Sequence, residues 1–284
     1  MWDGRPRTMS GPPPRAGVAA YGAAVAVTVT AVLSQYALPP LVPALRPVYG
    51  DLPADLMIVY GLPILAFVAL VGTEPLRQFA GGPGKAAVEG LRWYGLLSLL
   101  SLLVTVVLVI AFLIVDPPAL SRLNAPNPVL RAAVGDPWLW VGLSFLVGLL
   151  EETLFRGWIF GYWLARGDPR WLGHAVWTSA LFVGVHVYYI TTYGPGAGLI
   201  LPMLFFLGLA FAIAMRYSGG NVLMIALLHG AFDASGFLSI VSVPAGLAFR
   251  YGLFALGLVV AGVVYLHRDR RSSPTDPPSR APDP

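Results

Sequence analysis

The chain has 284 residues, of which 57% are hydrophobic and only 11% charged, with a net charge of +4. Soluble globular domains carry roughly a quarter charged residues, so this composition excludes that class and makes the basic balance a matter of membrane topology rather than of nucleic acid. No cysteine is present, which excludes disulfides, thiolate metal sites, thiol proteases and lipidation on cysteine.

Residues 1–16 are Pro-rich and basic and read as a disordered N-terminus. The apolar run after them is long and lacks a cleavage site, so it reads as a retained helix rather than a signal peptide. A spanning helix needs about 20 mostly apolar residues. Eight windows qualify: 17–38, 54–72, 94–115, 138–164, 172–191, 198–215, 221–240 and 248–266. The third holds no ionisable group apart from its leading Tyr94. Pro63 and Pro202 fall inside the second and sixth, which membrane helices tolerate when neighbours satisfy the freed backbone. Pro-rich connectors follow the first and third windows, and 267–284 has the composition of a disordered tail. The expected fold class is therefore all-α, a polytopic membrane protein of eight transmembrane helices.

Orientation follows from the Lys and Arg residues. Thirteen lie in the N-terminus, alternate loops and the tail, whereas the opposite side carries only Arg46, Arg122, Arg131 and Arg250. The positive-inside bias puts both termini in the cytoplasm.

The ionisable residues well inside the windows are few. They are Glu151, Glu152 and Arg156 in the fourth, His174 and His186 in the fifth, and His229 and Asp233 in the seventh. A charge near a helix centre costs about 2.5–3.5 kcal/mol on insertion scales, so residues of this kind are functional by default. At about 100° per residue, Glu152 and Arg156 share a helix face, while Glu151 points toward a different neighbour. Arg156 can neutralise one carboxylate and leave the other for proton transfer. Phe182 and His186 share a face, as do His229 and Asp233, with Gly230 and Gly236 available for close helix approach. His174 sits beside Trp171 and Trp177 at the start of its window, an interfacial position. Counted along the windows, Glu151 lies at mid-depth and His186 in the outer half. This set suits hydrolysis by an activated water, with donors for a tetrahedral oxyanion.

The three pieces "EETLFR", "FVGVH" and "HGAFD" resemble, in order and spacing, the EExxxR, FxxxH and HxxxN/D motifs of the CAAX protease and bacteriocin-processing (CPBP, Abi) family of intramembrane endopeptidases. The resemblance covers about residues 138–240. It implies N-terminal membrane helices in 17–137 and a catalytic core in 138–266 of an integral protein of the bacterial plasma membrane. It further implies that Glu151 is the general base, His186 its partner and His229 an oxyanion donor, with Arg156 anchoring Glu152. Phe182 is assigned to the substrate. The family's prenyl-protease form has Asn in the last place, where this chain has Asp233. An ionised carboxylate cannot donate to an oxyanion; either Asp233 is protonated, or it orients His229. The expected substrate is a peptide or protein, lipidated or not, cut near the membrane surface in a cavity open to the cytoplasm. Membrane lipids are the other partners, and nucleic acid is not one.

No cofactor is expected. Zinc held by Glu151, His186 and His229 is the alternative form of the same hydrolysis, though the HExxH signature is absent. Of the other readings, a serine protease built on Ser235 lacks a base, because the only later histidine, His267, is at the membrane boundary. An aspartyl protease needs a second intramembrane Asp. A transporter predicts repeats in matching halves, yet the polar residues all fall in one half. The rival from another class is a non-proteolytic scaffold or immunity protein with the same fold.

Overall fold

The structure, a computed structural model, describes residues 15–41, 56–74, 76, 83–115, 137–187, 190 and 197–271. The expected N-terminal and C-terminal disorder and the two Pro-rich connectors fall wholly or mainly outside the described residues. Among the described residues there are eight helices and no strand. They are α1 (Val18–Leu41), α2 (Met57–Leu70), α3 (Pro83–Val115), α4 (Pro137–Glu152, continuing through Thr153–Phe160 to Gly161–Ala165), α5 (Trp171–Val185), α6 (Ala197–Ser218), α7 (Val222–Val241) and α8 (Val243–Arg271). One helix stands in each predicted window. The segments Trp138–Ala165, Leu201–Ser218 and Val222–Ser239 are long and apolar enough to cross a membrane unaided.

The polarity of the bundle is that of a protein in lipid. Large apolar side chains such as Leu65, Met203 and Phe206 point outward, whereas Glu151, Glu152, Arg156, His186 and His229 are buried. Without water outside, the helices associate through close packing and internal polar contacts rather than by burying apolar surface. Glycines make the closest approach. A Cβ on Gly148 of α4 would sit 2.9 Å from the backbone nitrogen of Gly230 in α7, and one on Gly230 would sit 2.7 Å from the Cα of Phe145. Only hydrogen at both positions lets the two backbones touch. Gly236, also expected to serve such an approach, has open space where its Cβ would be; it faces away from α4 and plays no such part.

Two turns set the helix order. Between α6 and α7, Gly219 and Gly220 adopt φ of 83° and 80°, a left-handed pair that reverses the chain at little cost. Asn221 then caps α7, its side-chain oxygen accepting from Met224 N at 3.0 Å. Between α4 and α5, Gly167 has φ of 66°, and Asp168 accepts from the backbone N of Arg170 at 2.8 Å and from its guanidinium at 3.0 Å. The side-chain hydrogen bond from Arg170 is the main reason the Asp168 carboxyl titrates well below its ordinary range. His174 stacks on Trp163 at 4.4 Å and holds Nε2 3.2 Å from Asp168, an interfacial clamp on this turn.

The helices α1 and α2 lie against the lower half of α4. The Tyr21 hydroxyl donates to the carbonyl of Ile159, its ring stacks on Tyr162 at 4.5 Å, and Trp158 Nε1 donates to the carbonyl of Gly72 at 2.9 Å. Two segments depart from regular α-helix: Met57–Gly61 in α2 and Thr153–Phe160 in α4 both form π-helical turns. Such widened turns cluster at functional sites, because the extra residue per turn re-aims the side chains beyond it.

Candidate active site

The pair Glu151–Glu152 closes the regular upper half of α4, and the π-helical segment begins at Thr153. The widened turn keeps Arg156 facing Glu152. Its Nη1 lies 2.9 Å from Glu152 Oε1, both side chains are fully buried, and Nη2 donates to the carbonyl of Gly208 in α6 at 3.0 Å. Gly208 is required there, since a Cβ would stand 2.9 Å from that guanidinium nitrogen. Phe182 lies beneath the guanidinium at 4.6 Å and Phe211 flanks it at 5.7 Å, so the cation has a carboxylate, a carbonyl and two aromatic faces for company. A lone buried charge would be prohibitive; this one is paired through Nη1 and hydrogen-bonded through Nη2.

The same Glu152 oxygen also meets α7. His229 Nδ1 lies 2.7 Å from Glu152 Oε1, and the opposite nitrogen, Nε2, is 3.6 Å from Glu151 Oε2 and 3.5 Å from Asp233 Oδ2. The contact exists because Gly148 and Gly230 bring α4 and α7 together one turn away. Asp233 is the one member of the group with substantial exposure, at 36% of its side chain.

His186 arrives from α5 as the residue that ends the helix, with φ of −97° and ψ of 9°. The helix therefore stops at Val185 rather than running through the predicted window to 191. This removes the mismatch in depth. Glu151 stands fourteen residues before the end of α4 at Ala165 and His186 fifteen after the start of α5 at Trp171, so the two lie at comparable counts from the turn that joins these helices. The Nδ1 of His186 bonds to the carbonyl of Phe182 at 2.9 Å, which makes that nitrogen the donor and turns the Nε2 lone pair toward Glu151 Oε1, 3.8 Å away.

The sequence-predicted residues thus converge, with one difference of kind. Phe182 was assigned to the substrate, but its ring is fully buried between Arg156, Phe155, His186 and His229. It has no surface to offer a peptide and instead holds the charged groups in place. Three contributors were not anticipated. Tyr60 in α2 donates its hydroxyl to Glu151 Oε1 in a hydrogen bond; Gly208 receives Arg156; and Phe211 packs on His229 at 5.4 Å. The only sequence signal for Tyr60 is a phenol in an otherwise apolar window.

A family model described as type II CAAX prenyl endopeptidase, Rce1-like, matches residues 133–235. No curated protein and no solved structure matches the chain. The matched segment takes in all of α4, α5 and α6 and most of α7, and so every residue of the cluster except Tyr60. Residues 133–235 are thus similar to the type II CAAX prenyl endopeptidases, and with its apolar helices the chain is an integral membrane protein.

The zinc alternative requires Glu151, His186 and His229 to aim at one point. Among the described residues no group of three or more His, Asp or Glu side chains has the geometry of a metal site. The two imidazoles face different oxygens of Glu151, and Oε1 already accepts the Tyr60 hydroxyl. The donor set does not fit a tetrahedral metal centre, and the metalloprotease-like reading has no support in it.

Proposed function

We propose that this chain is an intramembrane endopeptidase that hydrolyses a peptide bond near the membrane surface by general-base activation of water. The observation that carries the reading is the opposition of Glu151 and His186. Two acceptors, a carboxylate oxygen and an imidazole lone pair, face each other at 3.8 Å, which suits a water molecule donating to one or both. In the reaction, Glu151 takes a proton from water as its oxygen attacks the scissile carbonyl carbon. The carbonyl π electrons move onto oxygen, and the tetrahedral oxyanion accepts from His229 Nε2–H. As the intermediate collapses, the C–N bond breaks and Glu151 returns the proton to the leaving amine.

The surrounding residues support this assignment. Glu152 fixes Nδ1–H of His229 and so directs the other nitrogen at the reacting centre, while Arg156 balances the Glu152 charge. Asp233 and Glu151 both approach His229 Nε2, which favours a proton on that nitrogen. Asp233 then serves as an orienting group for His229 rather than as a second oxyanion donor. General acid–base catalysis of this kind contributes about 10²–10⁴-fold in rate.

The test is cleavage by purified protein in lipid nanodiscs, using matched prenylated and unprenylated peptides. Glu151→Gln should abolish cleavage while leaving thermal stability close to that of the parent. A folded Glu151→Gln protein that still cleaved would overturn the mechanism. A parent that cleaves neither peptide, yet keeps a phenotype that Glu151→Gln also keeps, would favour the scaffold reading. The charge bias supports a cytoplasmic side for both termini, and plasma membrane of a bacterial cell remains the proposed location.

A further inference from the structure

Tyr60 lies outside the segment that matches the family model and in a helix that no motif marks. Its hydroxyl nevertheless donates to Oε1 of Glu151, ninety-one residues away in sequence. The ring is buried with Val59 among side chains of α1, α2 and α4. It sits in the π-helical turn Met57–Gly61, so the two residues that meet here both stand at departures from regular helix. Glu151 is the last residue but one before the widened turn of α4. The other Glu151 oxygen, Oε2, makes no hydrogen bond to protein and is turned to His229 Nε2 at 3.6 Å.

We infer that Tyr60 is a positioning residue of the active site, whose phenol holds one oxygen of Glu151 and thereby sets the orientation in which the carboxylate exchanges protons with water and substrate. The inference rests on the hydrolytic reading of Glu151. A carboxylate at the end of two methylene groups rotates readily. With Arg156 and His229 Nδ1 both committed to Glu152, Tyr60 supplies the hydrogen bond that fixes Glu151. A phenol suits the task because it donates to the carboxylate and, as a far weaker acid than a carboxyl group, keeps its own proton and leaves Glu151 able to accept one from water. The catalytic unit therefore includes the N-terminal helices: α2, clamped to α4 by the aromatic contacts of Trp158, delivers a group that the matched segment cannot provide.

The experiment compares Tyr60→Phe with Val59→Ala in nanodiscs. The first removes only a hydroxyl; the second loosens the same packing one residue away and touches no catalytic group. Tyr60→Phe should lower kcat by about 10-fold or more with KM within about 2-fold, whereas Val59→Ala, even if less stable, should keep the kcat of its folded fraction. A second readout does not need turnover. The infrared carboxylate band that disappears in Glu151→Gln should move in Tyr60→Phe and stay in place in Val59→Ala. If the parent cleaves and Tyr60→Phe matches Val59→Ala in kcat and band position, the inference is wrong and the protease reading stands. If the band moves but the parent cleaves no peptide, the hydrolytic reading falls and the reaction role of Tyr60 falls with it, leaving a structural hydrogen bond.

Discussion

Glu152 and His229 are joined across two helices by a 2.7 Å hydrogen bond, on the same oxygen that receives Arg156 at 2.9 Å. One carboxylate oxygen thus couples the charge balance of α4 to the orientation of an imidazole on α7. Glu152→Gln keeps the shape but removes the charge that secures Nδ1–H. The expected outcome is a fall in kcat of about 10²-fold or more, with the loss concentrated in kcat rather than KM, measured by steady-state cleavage.

Arg156 has partners in three directions, and each explains a different failure. Arg156→Met leaves Glu152 buried with no guanidinium, a loss of about 3–5 kcal/mol for breaking a buried pair. Arg156→Lys should recover little, because an ammonium lacks the planar fork that reaches Glu152 and the Gly208 carbonyl together. Unfolding of the detergent-solubilised variants gives both values.

The close approach of α4 and α7 predicts a sharp contrast among glycines. Gly230→Ala drives a methyl into Phe145, at a cost of about 1–3 kcal/mol from overpacking, and moves His229 away from Glu152. Gly236→Ala, six residues on, meets nothing and should be neutral or slightly stabilising. Equal effects of the two substitutions on melting temperature and activity would show that α7 does not pack as described.

Much of this arrangement was legible in the sequence, for a physical reason. Charges in apolar windows are costly enough to mark themselves, and spacing of four along a helix places Glu152 with Arg156 and His229 with Asp233 on common faces. Other features could not be read in that way. Hydropathy does not register where α5 ends, since residues beyond Val185 remain largely apolar, so the predicted window runs past the end of the helix. Tyr60 was passed over because a phenol costs little in a membrane and its partner is remote in sequence. Gly230 and Gly236 look alike in the sequence, and only the packing of α7 separates them.

The turn between α4 and α5 provides a pH test. Because Asp168 has its folded-state value depressed by Arg170, its contribution is fully present above the unfolded value of about 3.9 and is lost only as pH falls through the depressed value. The melting-temperature difference between the parent and Asp168→Asn should therefore be constant from neutral pH to about pH 5 and shrink in stronger acid. A difference that vanished near neutral pH would show that the Arg170 hydrogen bond does not govern the Asp168 carboxyl.

Asp233 is the exposed member of the cluster, so its accessibility tests the expected cytoplasmic opening of the site. It stands one turn beyond His229, farther from the Asn221 cap that the charge bias assigns to the cytoplasmic side. The chain has no cysteine, so Asp233→Cys gives a single labelling site without further changes. A cytoplasm-facing cavity requires labelling by an impermeant thiol reagent from that side; labelling only from the other face would reverse either the opening or the orientation.

The widened segment Thr153–Phe160 separates α4 into two stretches with independent rotational phase. The upper stretch is keyed to α7 through Gly148, the lower to α1 and α2 through Trp158 and Tyr162. Deleting one residue between Thr153 and Phe160 would return this stretch toward regular α-helix and shift the side chains within it off the faces they now occupy. Both halves could fold, each gripping its own neighbours, yet the carboxylates and their supports would be out of step. The segment works as a phase coupling that keeps two separately anchored layers in time.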